Sequence, residues 1–186
     1  QNIQNHNDDG TTNTSQSQRQ VTGLVAGGTA SNPILYVSSS DPRISVDEDS
    51  GLDTNSGIIT RLTWNGSAWE RVDIVRGLPR SEENHSTNGL DLDEASNTLY
   101  VAQGGHTNKG APGSNFAGNP EYFFSGSVIS VDLDTIESMT IWTDSRTGAQ
   151  FVYDLPTLDD PDRTNITNAD SAFPYPSGHP RYDDTI

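Results

Sequence analysis

The sequence has no cysteine, a single lysine (Lys109) and a single methionine among its 186 residues. Without cysteine there is neither a disulfide framework nor a thiolate metal site. No stretch approaches the roughly 18 consecutive apolar residues that cross a bilayer, so membrane insertion is not expected. Basic residues are scarce: 10 Lys+Arg stand against 26 Asp+Glu, a net charge of −16. A surface this acidic repels phosphate backbones and anionic lipid, which argues against nucleic acid and membrane surfaces as partners. Hydrophobic residues are only 31% of the chain, while glycine numbers 17 and proline 10. With Ser, Thr, Asn and Asp between them, these residues spread turn chemistry along the whole length, which argues against a compact helical protein.

Residues 1–19 form a polar tract, QNIQNHNDDGTTNTSQSQR, with Ile3 as its one aliphatic residue. Its composition offers too little apolar surface to offset ordering entropy, so it reads as a disordered leader or linker of a mature or excised chain.

The informative feature is an internal repeat. From Gly23 the chain reads GLVAGGTASNPILYVSSS, and from Gly89 it reads GLDLDEASNTLYVAQGG. Gly23 matches Gly89, Ala30-Ser31-Asn32 matches Ala95-Ser96-Asn97, and Leu35-Tyr36-Val37 matches Leu99-Tyr100-Val101, at offsets of 66, 65 and 64 residues. Each copy continues into a polar loop that closes on Ser-Gly and a strand, SGIITRLTW from Ser56 and SGSVISVDLD from Ser125. In the second, Ile129, Val131 and Leu133 alternate with Val128, Ser130 and Asp132, as in a strand with unlike faces. Asn65-Gly66 between two β-rich runs predicts a hairpin with positive φ at both turn positions.

These signals predict strands at 21–26, 34–38, 57–64 and 68–75 in the first repeat. In the second they predict strands at 88–92, 97–103 and 126–133, with a fourth at 140–142 or 150–153. Four antiparallel strands per repeat is the pattern of a β-propeller blade. An ordinary β-sandwich, with a chance likeness between two hairpins, is the competing all-β fold. On the propeller reading, blade 1 spans about 20–76 and blade 2 about 77–155. The proline-rich residues 156–186 are then a loop or insertion, and 20–186 as a whole is a partial propeller. Two or three blades do not close a ring of typically about 4–8, so the remaining blades are expected downstream or on another chain.

The loop between the repeats, RGLPRSEENHSTNG from Arg76, carries the candidate chemistry. His85 stands just before the second repeat's first strand, and an imidazole takes a proton near neutral pH. Asn84 beside it is placed to orient a ligand. Asp47, Asp49, Asp53 and Asn55 supply oxygen ligands at near-alternating positions, the type calcium prefers, though without the closing glutamate of an EF-hand. A second acidic cluster lies at Asp159, Asp160 and Asp162. The glycine-rich segment 104–110, with His106 and Lys109, lacks the Gly-Lys-Ser/Thr ending of a phosphate loop. Trp64, Trp69 and Trp142 read as packing residues, and Asn13, Asn65, Asn84 and Asn165 head glycosylation sequons.

The run IVRGLPRSEENHSTNGLDLDEASNTLYVAQGGHTN resembles the soluble pyrroloquinoline-quinone (PQQ)-dependent glucose dehydrogenases and the wider glucose/sorbosone dehydrogenase family. The likeness spans about residues 20–134 and concentrates around His85. It implies a six-bladed propeller in which His85 is the base that takes a hydroxyl proton as hydride passes to the quinone. Gln20 and Asn84 would be cofactor contacts, with Asn84 where the family often has Asp. Calcium would hold the quinone. The family's Arg-Asn motif does not occur among these residues. The resemblance implies a secreted, extracellular or periplasmic sugar or alcohol dehydrogenase. The alternatives are a non-catalytic cell-surface propeller module for adhesion or assembly, and a calcium-stabilised carbohydrate-binding module.

Overall fold

The computed structural model describes residues 3–5, 12, 14–43, 56–81, 85–105, 124–144 and 147–155. Along the chain these form β1 (Gln20–Gly28), β2 (Pro33–Ser40), β3 (Gly57–Trp64), β4 (Trp69–Leu78), β5 (Thr87–Asp93), β6 (Thr98–Gln103) and β7 (Ser127–Asp132). A short helix α1 (Leu133–Ser138) follows, then β8 (Trp142–Thr143) and β9 (Gln150–Asp154). The fold is mostly β, in two sheets: a six-stranded sheet ordered β1-β2-β3-β4-β9-β8 and a three-stranded sheet ordered β5-β6-β7. Among the described residues neither sheet closes into a barrel, and the strands form no ring.

Every strand expected through residue 133 is present, within a few residues at its ends. Both repeats are antiparallel meanders in the same register. Leu24, Val25 and Ala26 face Val37, Tyr36 and Leu35 across β1 and β2. Leu90, Asp91 and Leu92 face Val101, Tyr100 and Leu99 across β5 and β6. The third strands repeat the pattern: Ile59 pairs Ser38 and Val128 pairs Ala102. The two Leu-Tyr-Val strands, β2 and β6, lie in different sheets.

The core lies between the sheets. Tyr36, Ile59, Ile74 and Val75 of the first sheet pack with Leu99, Val101 and Val131 of the second, and Val25, Leu90 and Leu92 close the seam between β1 and β5. The approach of those two strands is close enough to require glycine. A Cβ on Gly23 would stand 2.3 Å from the Asn88 carbonyl oxygen. The Ser38 hydroxyl donates to that same oxygen at 2.5 Å, and the Thr22 hydroxyl donates to the Thr87 carbonyl.

Two expectations are corrected. The 140–153 region does not add a fourth strand to the second repeat's sheet. Instead β9 runs parallel to β4, with Asp73 opposite Phe151 and Val75 opposite Tyr153, and carries β8 on its far side. Buried charge holds it there. The Arg76 guanidinium pairs with Asp144 at 2.9 Å and Asp154 at 2.8 Å, and sits 3.7 Å over the Phe151 ring.

At Asn65-Gly66 the loop has four residues rather than two, and of the pair only Gly66 has positive φ. The Asn65 carboxamide oxygen accepts from the Ser67 and Ala68 amides, an Asx turn that removes the need for positive φ at Asn65. Trp64 and Trp69 flank it as a cross-strand pair, ring centroids 5.5 Å apart, as packing residues.

Residues 1–19 are described in part: Ile3 and Asn5 are buried, Gln4 bridges Gln18, and the Asn5 and Arg19 amides donate to the Ser17 and Ile3 carbonyls. Arg19 then donates to Ser39 and to the Ser56 carbonyl.

Candidate functional site

The loops β2–β3, β4–β5 and β6–β7 leave their sheets at one end of the molecule, and their roots are polar and buried. Ser39, Ser40, Asp41, Ser56, Arg80, Ser81, Ser86 and Gln103 are all nearly inaccessible there. Arg80 ties these roots together. Its guanidinium donates to the carbonyls of Asp41 (3.1 Å), Arg43 (3.2 Å), Ser81 (2.6 Å) and His85 (3.3 Å). A buried guanidinium with several carbonyl acceptors is satisfied as a donor without a carboxylate. Gln103 adds a second clamp: its carboxamide nitrogen donates to the Pro79 carbonyl at 2.7 Å and its oxygen accepts from Thr87 at 2.8 Å.

His85 sits on this platform, half-buried, two residues before β5 begins. Its amide donates to the Ser81 hydroxyl at 2.8 Å and its carbonyl accepts from the Ser81 amide at 2.8 Å, closing a tight loop. Its ring Nδ1 lies 3.0 Å from the Gly105 carbonyl oxygen. A carbonyl only accepts, so Nδ1 carries the hydrogen and Nε2 is the nitrogen with a lone pair in the neutral ring. Gly104 makes the approach possible, because a Cβ there would meet the His85 Cβ at 2.7 Å.

Of the other cofactor candidates, Gln20 opens β1 opposite Ser40, exposed at this same end of the sheets. Asn84 lies outside the described residues, as do the calcium candidates Asp47, Asp49, Asp53 and Asn55, the cluster at 159–162, and His106 and Lys109. Among the described residues no group of three or more His, Asp or Glu stands together as a metal site.

Sequence reasoning missed Arg80 and Gln103. Arg80 lies in the same quoted motif as His85, but its partners Asp41 and Arg43 are 39 and 37 residues away. Arg43 is itself paired with the Asp41 carboxylate. Among the described residues, the cations at this end, Arg19, Arg43 and Arg80, are thus engaged in holding the loops. No family model, curated protein or solved structure matches the chain.

Proposed function

We propose that the chain is part of a β-propeller of the glucose/sorbosone dehydrogenase type, secreted or periplasmic, with His85 as its general base. The observation that carries this reading is the Nδ1–H···O=C contact between His85 and Gly105. A neutral imidazole that donates through Nδ1 carries its lone pair on Nε2, and a base in this tautomer takes a hydroxyl proton from a sugar or alcohol. The register-matched meanders support the propeller architecture, each repeat supplying the first three strands of a blade. What the described residues support is the proton transfer alone. The PQQ and calcium sites implied by the resemblance rest on residues outside the described set or on Gln20, and no step is assigned to either group.

The engaged arginines favour a second reading, a non-catalytic extracellular module in which the polar platform only braces the loops. One experiment separates them. The full-length protein is given PQQ and calcium, and sugars and alcohols are assayed with an artificial electron acceptor. The dehydrogenase reading expects turnover that falls about 10²–10⁴-fold in His85→Gln with folding intact. Turnover that survives the substitution removes the role of His85, and no quinone binding by the unmodified full-length protein favours the module.

A further inference from the structure

The 3.0 Å contact between His85 Nδ1 and the Gly105 carbonyl joins two loops, and neither partner lies in a strand: β5 begins at Thr87 and β6 ends at Gln103. The contact is therefore only as fixed as the roots of those loops. On the glycine side main-chain bonds do the fixing. The Gly104 amide donates to the Ser86 carbonyl at 2.9 Å, and the Gly104 carbonyl accepts from the Gly126 amide at 3.0 Å. The same Ser86 bond anchors the exit of the His85 segment. Its entry is Ser81, whose amide and hydroxyl hold the His85 carbonyl and amide.

Arg80 holds that entry, and its side chain is buried. Among the described residues its acceptors are all main-chain carbonyls, and they fall into two pairs. Nη1 donates to Ser81 at 2.6 Å and His85 at 3.3 Å, while Nε and Nη2 donate to Asp41 at 3.1 Å and Arg43 at 3.2 Å, just past the end of β2. One side of the planar fork thus carries the His85 segment, and the other ties it to a loop of the first sheet. Lysine offers its three donors from a single point and does not span two such pairs. A guanidinium also keeps its charge at every pH where an imidazole titrates, so the support stays the same as the ring gains or loses a proton.

We propose that Arg80 is the positioning residue of His85. By holding the His85 carbonyl against the root of the β2–β3 loop, it keeps the ring turned to Gly105 and the hydrogen on Nδ1. It acts through the main chain and not on a substrate. Its meaning for turnover rests on the reading of His85 as the general base. The hold on the ring does not, so the two are measured separately.

The test is nitrogen-15 NMR of the neutral His85 ring in the folded full-length protein, with His85→Gln identifying the signal. The unmodified protein is expected to carry the hydrogen on Nδ1, and Arg80→Ala and Arg80→Lys to show a mixture of both tautomers. Guanidinium ion, added well below denaturing concentrations, is expected to restore the Nδ1–H form in Arg80→Ala. Tyr36→Ala, a core substitution in β2 that removes none of these hydrogen bonds, is expected to keep the Nδ1–H form, which separates positioning from lost stability. An unchanged tautomer in either Arg80 variant overturns the proposal. So does a mixture in Tyr36→Ala, or a mixture in Arg80→Ala that guanidinium leaves unaltered. Turnover is the separate arm. On the dehydrogenase reading Arg80→Lys lowers it about 10²-fold, the cost of a misplaced catalytic group. An unmodified protein without turnover removes that reading and leaves the tautomer result to decide the role of Arg80.

Discussion

Tyr36 and Tyr100 hold the same place in the repeat, opposite Val25 in one sheet and Asp91 in the other, yet Tyr36 is 3% exposed and Tyr100 41%. The difference is positional: the second sheet covers the first, and no described element covers the second. Tyr36→Ala is therefore expected to cost about 3–5 kcal/mol, in the range of aromatic truncations in cores, and Tyr100→Ala less than about 1 kcal/mol. Urea denaturation of the two variants checks this, and equal losses would contradict it.

Burial also pushes the Tyr36 phenol above its ordinary range, against the pull of Arg61 and with a further push from Glu137. A group whose pKa is raised on folding contributes stability that is complete below the unfolded value, about 10 for tyrosine, and is lost as pH rises through the folded one. Ultraviolet titration is expected to show Tyr36 ionising late, as a late component that shrinks in Tyr36→Phe.

Gly23 and Gly89 make a second matched pair. Gly23→Ala drives a methyl into the Asn88 backbone and is expected to destabilise by about 1–3 kcal/mol, because backbone cannot rotate away as a side chain would. Gly89→Ala is expected to be neutral or stabilising, since it reduces unfolded-state entropy at an open position. Thermal melts of the two variants at low concentration check the order.

Arg76 binds β9 to β4 through two aspartates that are almost wholly buried. Arg76→Ala strands both carboxylates and is expected to cost about 3–5 kcal/mol. Hydrogen exchange is expected to show the loss first in the amides of β9. Uniform protection across Gln150–Asp154 in the variant would contradict the assignment.

Asp132 and Asp93 should govern a small acid response. Asp132 caps α1 by accepting the Thr135 amide, and Asp93 accepts the Ser96 hydroxyl and the Ala95 amide, so both carboxyls titrate below their ordinary range. For a depressed pKa, the stabilisation is present above the unfolded value and lost as pH falls through the folded one. Carboxyl-carbon NMR is expected to find both below free aspartate, and Asp132→Asn to remove its share of the acid loss.

Much of the fold was legible because its signals are local. The repeated Leu-Tyr-Val, the Ser-Gly before each third strand and the alternation of 128–133 place seven strands and their faces. What escaped depends on distant partners. Buried Phe151, Val152 and Tyr153 read equally well as a strand of either sheet, and only Arg76 meeting Asp144 and Asp154 decides between them. Helix α1 is too short to show a period, and rests on the Asp132 cap and the burial of Leu133 and Ile136. At the site, His85 stood out by type and position. The Gly105 carbonyl that orients it and the Arg80 clamp beneath it come from other loops, and no spacing rule connects them.

The claim on which the functional reading rests is the state of the His85 ring, and nitrogen-15 NMR of the neutral imidazole measures it directly. A hydrogen held on Nδ1 by the Gly105 carbonyl leaves Nε2 with the unprotonated shift, and Gly104→Ala, which pushes His85 away, is expected to weaken that preference. A neutral ring with its hydrogen on Nε2 would contradict the account, because that nitrogen would then have no lone pair to take a substrate proton.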